Sequence, residues 1–245
     1  MKFFNYGRYS EDYSKLKITK TYYLAFRDIP QILHKLVNGK KALDYGCGTG
    51  RSTRFLKKLG FEVIGVDINE KMLEKAKRLD KEGCYSHIKS ANLDLFENNF
   101  FDLIFCAFIF DSIPSKIDMI KILKEFRKKL KSKGAIIIIT STPELYFHNW
   151  ASFISNFPEN KNTRAGDKVR IHIKGTNIKV FDYLWYDGDY KSVFQKSNLR
   201  VIKGYKPLAN GTEKYKWINE KKIPPWFVYV LNKQHYDTYQ TENNV

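Results

Sequence analysis

The stretch that decides the fold reads Ala42-Leu43-Asp44-Tyr45-Gly46-Cys47-Gly48-Thr49-Gly50. Its first four residues are typical of a short strand, and Arg51 to Leu59 after it has the apolar period of a helix that Gly60 ends. Glycine at every second position from 46 to 50 permits a tight turn and lets a ligand come close to the backbone N–H groups. The stretch therefore predicts a strand–turn–helix unit that binds a nucleotide-like cofactor.

Strands and helices alternate outward from this turn, between residues 40 and 140. Apolar runs without polar alternation, such as 102–109 and 135–140, are typical of parallel strands buried on both faces. The alternation predicts βαβ units and a parallel sheet with helices on both faces. The other predicted elements of this part are a strand at 61–66, a helix at 70–79, a third strand within 84–90 and a helix at 115–130.

The flanks of the alternating part follow a different pattern. Residues 8–37 are predicted to be helical, and Pro30 is expected to kink or divide that stretch. Residues 143–180 show no clear periodicity, apart from an alternation over 170–174. The remaining predictions are a helix from about Asp187 to Lys196, a strand over 199–205, a loop over 207–225 and a final strand over 226–231.

Two carboxylates bear on the identity of the cofactor. Asp67 ends the second strand, where it can bind both hydroxyls of a ribose, and this feature is shared by dinucleotide and S-adenosylmethionine (SAM) sites. Asp44 lies two residues before the first glycine, where a fixed carboxylate would repel a pyrophosphate and favour the sulfonium and ammonium of SAM. The third glycine also comes one residue earlier than in G-x-G-x-x-G. The pattern favours SAM over NAD, with a glycine turn that binds no ligand as the remaining alternative.

The motif Leu43-Asp44-x-Gly46-x-Gly48-x-Gly50 resembles motif I of the class I SAM-dependent methyltransferases. Val63 to Leu73 looks like their motif II, and the resemblance extends over about residues 40–145, most closely to the small-molecule "methyltransferase type 11" group. It implies an α/β fold: a Rossmann-like three-layer sandwich around a seven-stranded, mostly parallel sheet whose last strand is antiparallel. The segments 199–205 and 226–231 would be the sixth and seventh strands.

The resemblance also implies a set of cofactor-binding residues. Asp67 would bind ribose, and Ile68 and Met72 would flank adenine. Tyr9 or Tyr13 would cover the methionine end of SAM. Ser90 or Asn92 stands where the family usually has an acid, and Lys133-Gly134 replaces its Pro-Gly pair. The predicted cofactor-binding set is Tyr13, Asp44, Gly46, Cys47, Gly48, Gly50, Asp67, Ile68, Met72, Asn92, Leu93 and Ala107.

The length of 245 residues fits a single methyltransferase domain. We expect a helical lid over 1–38, a cofactor-binding core over 40–142, a substrate-lid insertion over 143–185 and the C-terminal part of the sheet over 186–232. Aromatic residues are concentrated in the first segment and in the insertion, where they could exclude water and pack a flat or apolar acceptor.

Candidate catalytic residues are expected in the loops after the predicted fourth and fifth strands, because ligands of α/β sheets bind at the carboxyl ends of the strands. Methyl transfer from a sulfonium depends mainly on alignment, and a general base is needed only when the acceptor holds its proton tightly. Asp111 and His148 are the candidate bases, each with a simpler alternative: a helix cap for Asp111 and a packing role for His148. His172 is a weaker candidate. The Asn/Asp-Pro-Pro-aromatic motif of N6-adenine methylation is absent.

Composition limits the function classes further. The formal net charge of +17 fits a nucleic-acid surface, an acidic small substrate or simply a lysine-rich composition, since the basic residues are spread along the chain. Three cysteines without metal-ligand spacing and the lack of a long apolar run or leader predict a cytoplasmic protein without a metal or a membrane partner.

The leading hypothesis is SAM-dependent O- or N-methylation of a small-molecule acceptor. The alternatives are an RNA or protein methyltransferase, a non-catalytic SAM-binding protein and, disfavoured by Asp44, an NAD-dependent oxidoreductase.

Overall fold

The computed structural model describes residues 6–234, and the structural statements below concern that part of the chain. Short 3-10 turns cover Tyr6–Tyr9, Phe110–Ser112 and Pro158–Asn160. The helices are α1 (Ser10–Lys15), α2 (Thr21–Phe26), α3 (Ile29–Leu36), α4 (Arg51–Lys58), α5 (Glu70–Leu79), α6 (Lys116–Lys129), α7 (Glu144–Phe147) and α8 (Asp187–Lys196). The strands are β1 (Lys41–Tyr45), β2 (Glu62–Asp67), β3 (Cys84–His87), β4 (Phe101–Ala107), β5 (Leu130–Ser141), β6 (Phe153–Ile154), β7 (Lys168–Ile173), β8 (Lys179–Tyr183), β9 (Leu199–Tyr205) and β10 (Trp226–Lys233).

Seven of these strands form the main sheet, in the order β3-β2-β1-β4-β5-β10-β9. β1 lies between β2 and β4 and is parallel to both, with Leu43 opposite Ile64 and Ile104. β10 is antiparallel to both of its neighbours, β5 and β9. The predicted fold class is confirmed, with the sixth and seventh strands where the resemblance placed them.

The core of the sheet follows directly from the apolar runs. The side chains of Leu103 to Cys106 in β4 and of Ile136 to Ile139 in β5 are completely buried. Both strands are central and are covered on both faces, so consecutive residues are all apolar. Each buried isoleucine or leucine contributes about 2 kcal/mol to folding relative to an exposed one, so these two strands anchor the sheet.

The N-terminal helical stretch is divided beside Pro30, one of the two predicted outcomes, since α2 ends at Phe26 and α3 begins at Ile29. Pro30 lies in the first turn of α3, where its missing N–H needs no partner, so it begins a helix there and does not kink one. The helical stretch is interrupted earlier, between α1 and α2, where Lys20 has a positive φ of 52°.

The segment after β5 is more regular than its sequence indicated. β6, β7 and β8 form a three-stranded antiparallel sheet, which we call the insertion sheet. In β7 and β8 the buried and more exposed side chains alternate. The buried positions are Val169, Ile171, Ile173, Val180 and Asp182.

Glu220 ties the N-terminal helices and the insertion to the loop before β10. Its completely buried carboxylate accepts hydrogen bonds from the Thr21 hydroxyl and the Ala151 N–H, both at 2.7 Å, and from the Ile218 N–H at 2.8 Å. A buried carboxylate is stable only when its oxygens are satisfied in this way. Within residues 6–234, no helix combines the length and the apolar composition needed to cross a membrane.

Candidate cofactor and acceptor site

A cavity of about 600 Å³ opens at the carboxyl ends of the central strands. Tyr45, Asp67, Ala107 and Ser141, which end β1, β2, β4 and β5, all line it. Ligands of open α/β sheets bind at this edge, and the volume is typical of small-molecule sites. The other walls come from the N-terminal segment, from the turn after β4 and from the insertion sheet.

The glycine turn forms the floor of one end of the cavity. Gly46, Gly48 and Gly50 have φ values of 72°, 54° and 78°, in the left-handed region that side chains disfavour. A Cβ atom on Gly46 would lie 2.2 Å from the Ile109 Cδ1 atom. The turn is fixed to β2, because the N–H groups of Gly46 and Cys47 donate to the Val66 carbonyl at 2.8 and 3.0 Å. Position 46 therefore requires glycine for two reasons: its backbone has a positive φ, and Ile109 packs close beside its Cα atom.

Asp67 lies at the edge of this turn and faces the cavity. Its Oδ2 accepts a hydrogen bond from the Gly48 N–H at 2.8 Å, and its Oδ1 accepts one from the Asn69 N–H at 2.9 Å. Each oxygen keeps a second acceptor site, so the carboxylate can still bind two neighbouring hydroxyls. Burial raises the pKa of Asp67.

Asp44 lies behind the turn, completely buried, and does not line the cavity. Its Oδ2 accepts hydrogen bonds from the hydroxyls of Ser52 at 2.7 Å and Thr53 at 2.6 Å. Its Oδ1 has no hydrogen-bond partner among the described residues. Burial raises the pKa of Asp44 to about 6. Asp44 thus joins the end of β1 to the first turn of α4, and its predicted contribution to binding the cofactor stays a prediction.

Eight of the predicted cofactor-binding residues line the cavity, and four do not. Asn92 is exposed and bonds to Asp94, Leu93 is buried in the core, and Gly50 lies against Tyr85 and Arg54. Asp44 is the fourth. Ser90, the alternative to Asn92, does reach the cavity. The lining residues from the predicted set are Tyr13, Gly46, Cys47, Gly48, Asp67, Ile68, Met72 and Ala107.

His148 is not brought to the cavity by the fold. It is half-buried at the end of α7, its ring packs edge-on against Trp150 at a centroid distance of 6.3 Å, and its carbonyl accepts a hydrogen bond from Ser155. His148 is not among the lining residues. Its placement fits the packing role, so the function proposed below does not use it as a base.

Asp111 does line the cavity, but its carboxylate is already bonded. Oδ1 accepts hydrogen bonds from the Thr140 hydroxyl, from the Ser141 N–H at 3.0 Å and from the Tyr190 hydroxyl at 3.3 Å, and Oδ2 accepts one from the Ser141 hydroxyl at 3.0 Å. Burial raises the pKa of Asp111. These bonds hold the turn after β4 against the end of β5.

Two charged residues that the sequence reasoning missed also line the cavity. Arg51 is the first residue of α4; its guanidinium lies 4.3 Å above the Tyr22 ring, and its Nη1 is buried without a hydrogen-bond partner among the described residues. Burial lowers the pKa of Arg51. Asp182 lies on the cavity side of β8. In the sequence, the alternation of side-chain types over 179–183 could have indicated that Asp182 faces inward. Arg51 was indicated only by its position directly after Gly50.

The charges that line the cavity have the opposite sign to the chain as a whole. The cavity lining includes three carboxyl groups, those of Asp67, Asp111 and Asp182, and one guanidinium, that of Arg51. The chain as a whole has a net charge of +17. An interior with an excess of carboxylates attracts cations and repels phosphates. The donor set therefore fits SAM, which has a ribose diol for Asp67, a carboxylate for Arg51 and two cationic groups, and it does not fit a dinucleotide.

Known proteins that resemble this chain are described as methyltransferases. Residues 43–138 match the family model described as methyltransferase domain. The chain is 32% identical over 131 residues to the demethylmenaquinone methyltransferase of Thermotoga maritima, a match that covers 48% of this chain and 56% of that protein. It is 41% identical over 113 residues to the protein of the same name from Staphylococcus saprophyticus, covering 43% of this chain and 47% of the relative. The chain thus spans about half the length of the curated relatives it matches.

Two solved structures share the fold over nearly the whole chain. A SAM-dependent methyltransferase from Clostridium acetobutylicum superposes with a TM-score of 0.65 at 17% identity, covering 94% of this chain and 99% of that one. A SAM-dependent methyltransferase from Methanosarcina mazei superposes with a TM-score of 0.63 at 17% identity, covering 84% and 98%.

The matched segment identifies residues 43–138 as a methyltransferase domain, and the sheet order around the glycine turn is the fold shared with the SAM-dependent methyltransferases above. Both solved structures are described as SAM-dependent, which agrees with the cofactor predicted for this chain. The predictions of family and cofactor made from residues 42–73 are confirmed.

Proposed function

We propose that this protein transfers the methyl group of SAM to a small-molecule acceptor that binds in the same cavity. The observation that carries the proposal is the continuity of the cavity, which reaches from the glycine turn to the aromatic residues of the N-terminal segment and the inner face of the insertion sheet. One end is built for the cofactor and the other end is largely apolar. An acceptor at the apolar end would lie next to the methyl donor, which is the alignment that the reaction requires.

The cofactor end has a defined set of residues for SAM. Asp67 would bind the ribose hydroxyls, Ile68 and Met72 would flank the adenine, and the guanidinium of Arg51 would bind the carboxylate of the methionine part. When bound there, SAM supplies a methyl group that its sulfonium has already activated. The residues of the chain need only hold it, exclude water and orient the acceptor.

The acceptor end is enclosed mainly by aromatic rings. Tyr6 packs edge-on against Tyr13 at a centroid distance of 6.0 Å, and its hydroxyl bonds to the Ser112 hydroxyl at 2.7 Å. Tyr22 packs against Phe153 and Trp226, at centroid distances of 5.0 and 6.2 Å. In this proposal residues 6–38 and the 143–185 insertion act as lids, because each contributes rings or strands that close the acceptor end over its ligand. Residues 1–5 of the predicted N-terminal lid lie outside the described residues.

The size and charge of the cavity favour a small molecule over RNA. Nucleic acid binds through its phosphates, and carboxylates around the reacting centre would repel them. The names of the matched relatives refer to demethylmenaquinone, a small organic acceptor, and this supports the same class of acceptor here.

Calorimetry with S-adenosylhomocysteine (SAH), the demethylated product, tests the cofactor half of the proposal. We expect SAH to bind and NAD not to bind. Incubation with methyl-labelled SAM and a panel of small acceptors then tests transfer. Binding of NAD in preference to SAH, or label that enters RNA but none of the small acceptors, would overturn the proposal.

A further inference from the structure

One carboxylate interrupts the apolar face that the insertion sheet turns to the cavity. The neighbouring inward positions of β7 and β8 are Ile171, Ile173 and Val180, all of which line the cavity. Asp182 occupies the next inward position and is only 6% exposed. An apolar side chain there would continue the pattern, so folding alone gives no reason for an acid.

The bonding of Asp182 is much poorer than that of the other buried carboxylates. The only hydrogen bond to its side chain among residues 6–234 comes from the Tyr146 hydroxyl, at a long 3.4 Å. Asp111 accepts four hydrogen bonds, and Glu220 accepts bonds on both of its oxygens. A buried carboxylate with so few partners is stabilised by a proton or by a cationic ligand, and Asp182 faces the space where an acceptor would bind.

The groups around Asp182 favour a cationic partner. The rings of Tyr6, Tyr13 and Tyr22 line the same cavity as Asp182, and Asp111 is a second acid in that lining. Aromatic rings and a carboxylate together stabilise an ammonium group. The guanidinium of Arg51 lies over the Tyr22 ring, 4.3 Å from its centroid.

We propose that the methyl acceptor is a primary or secondary amine carried on an apolar or aromatic body, and that Asp182 binds its nitrogen. This rests on the function proposed above and narrows its acceptor. A phenol or quinol acceptor would have to develop negative charge beside Asp182 and Asp111, which repel it, whereas an ammonium is attracted to the same place.

Asp182 can also take the proton that the amine must lose before it reacts. The ammonium gives one proton to the Asp182 carboxylate, and the freed nitrogen lone pair forms the new N–C bond while the methyl C–S bond breaks and leaves its electron pair on sulfur. The products are the N-methylammonium, SAH and a protonated Asp182, which returns its proton to solvent as the product leaves. Burial and the nearby Asp111 raise the pKa of Asp182 well above its usual range, which makes it a better proton acceptor for an amine.

Binding to the complex of the protein with SAH tests the inference without turnover. The probes are benzylamine, 2-phenylethylamine and tryptamine, compared with benzyl alcohol and 2-phenylethanol, which replace nitrogen by oxygen. We expect at least one amine to bind ~10-fold or more tightly than its matched alcohol, as one charge-assisted hydrogen bond provides. In Asp182→Asn this preference should disappear while the SAH affinity stays unchanged. Glu97→Gln, an exposed carboxylate with the same change of charge, serves as the matched control.

Methyl transfer from labelled SAM to the same panel, with a reduced naphthoquinol added, separates the two proposals. Label on an amine, lost in Asp182→Asn but kept in Glu97→Gln, supports the inference. If no amine binds more tightly than its alcohol, or if label enters the naphthoquinol or an alcohol in preference to the amines, the inference is overturned and the small-molecule function remains. Failure of the wild-type protein to bind SAH would instead remove the proposed function itself.

Discussion

The Gly48 backbone N–H donates a 2.8 Å hydrogen bond to the Asp67 carboxylate. The residue that ends β2 therefore holds the turn that follows β1, and the same carboxylate faces the cavity. A substitution at Asp67 acts twice, since it changes the ligand contact and releases the turn.

Asp67→Asn should weaken SAH binding by about 10- to 100-fold, the effect of losing one or two charge-assisted hydrogen bonds. The amide has one oxygen for two backbone donors, so its NH₂ group must face either the Gly48 or the Asn69 N–H. Calorimetry measures the change. Glu74→Gln, an exposed carboxylate on α5, is the control and should bind SAH normally. An unchanged affinity in Asp67→Asn would contradict the assignment of the ribose site.

Arg51→Gln should remove the preference for ligands that carry the methionine carboxylate. We compare SAH with 5′-methylthioadenosine, which lacks the amino-acid part. The wild-type protein should bind SAH more tightly, and the variant should lose about 10-fold or more for SAH while its affinity for methylthioadenosine stays the same.

Lys58→Gln, an exposed cation on the same helix, controls for the loss of charge. Equal losses for both ligands in Arg51→Gln would show that Arg51 supports the turn and does not bind the carboxylate.

The central strands and the glycine turn were predicted well from the sequence, because each of their residue patterns is compatible with only one local structure. Leu103 to Cys106 can be consecutive and apolar only in a strand covered on both faces, and the glycines at 46, 48 and 50 have positive φ because the turn demands it. Asp67 was identified for the same reason, since the end of the second strand adjoins the first turn in any such sheet.

The acceptor end could not be predicted in the same way, because its residues meet only in three dimensions. β8 is five residues long, and its alternation includes Asp182 where an apolar residue is expected. Tyr6 and Tyr13 line the cavity because of the path of the N-terminal segment, whose helices are interrupted at Lys20. His148 looked suitable by residue type and position, yet the turn of the chain after α7 directs it toward Trp150.

Asp44→Asn should change the pH dependence of stability. Burial raises the pKa of Asp44 to about 6 in the folded protein, above its value in the unfolded chain, so the folded state binds this proton more tightly. The stability that this provides is fully present below the unfolded pKa and is lost as the pH rises through about 6.

The wild-type protein should therefore gain stability relative to Asp44→Asn as the pH falls from 7 to 4, by up to about 3 kcal/mol. Urea unfolding of the two proteins at several pH values measures the difference, and the contribution of the neighbouring Asp67 cancels because both proteins retain it. A difference that stays constant with pH would mean that Asp44 titrates normally.

Two glycine substitutions separate backbone strain from side-chain crowding in the turn. Gly60 has a φ of 89° and open space around its Cα, so Gly60→Ala should lower the free energy of unfolding by only about 1 kcal/mol and leave SAH binding unchanged. Gly46→Ala adds a clash, because the new Cβ would lie 2.2 Å from the Ile109 Cδ1 atom. We expect a larger loss, of about 2 to 4 kcal/mol, together with weaker SAH binding.

The double variant Gly46→Ala/Ile109→Ala distinguishes the two contributions. Trimming Ile109 removes the atoms that the new Cβ would meet, so adding Gly46→Ala to Ile109→Ala should cost only the strain part, close to the effect of Gly60→Ala. Urea unfolding of the four proteins, with Ile109→Ala alone completing the cycle, gives the coupling energy between the two positions. A coupling energy near zero would show that the left-handed backbone alone requires glycine at position 46, and that Ile109 moves aside without cost.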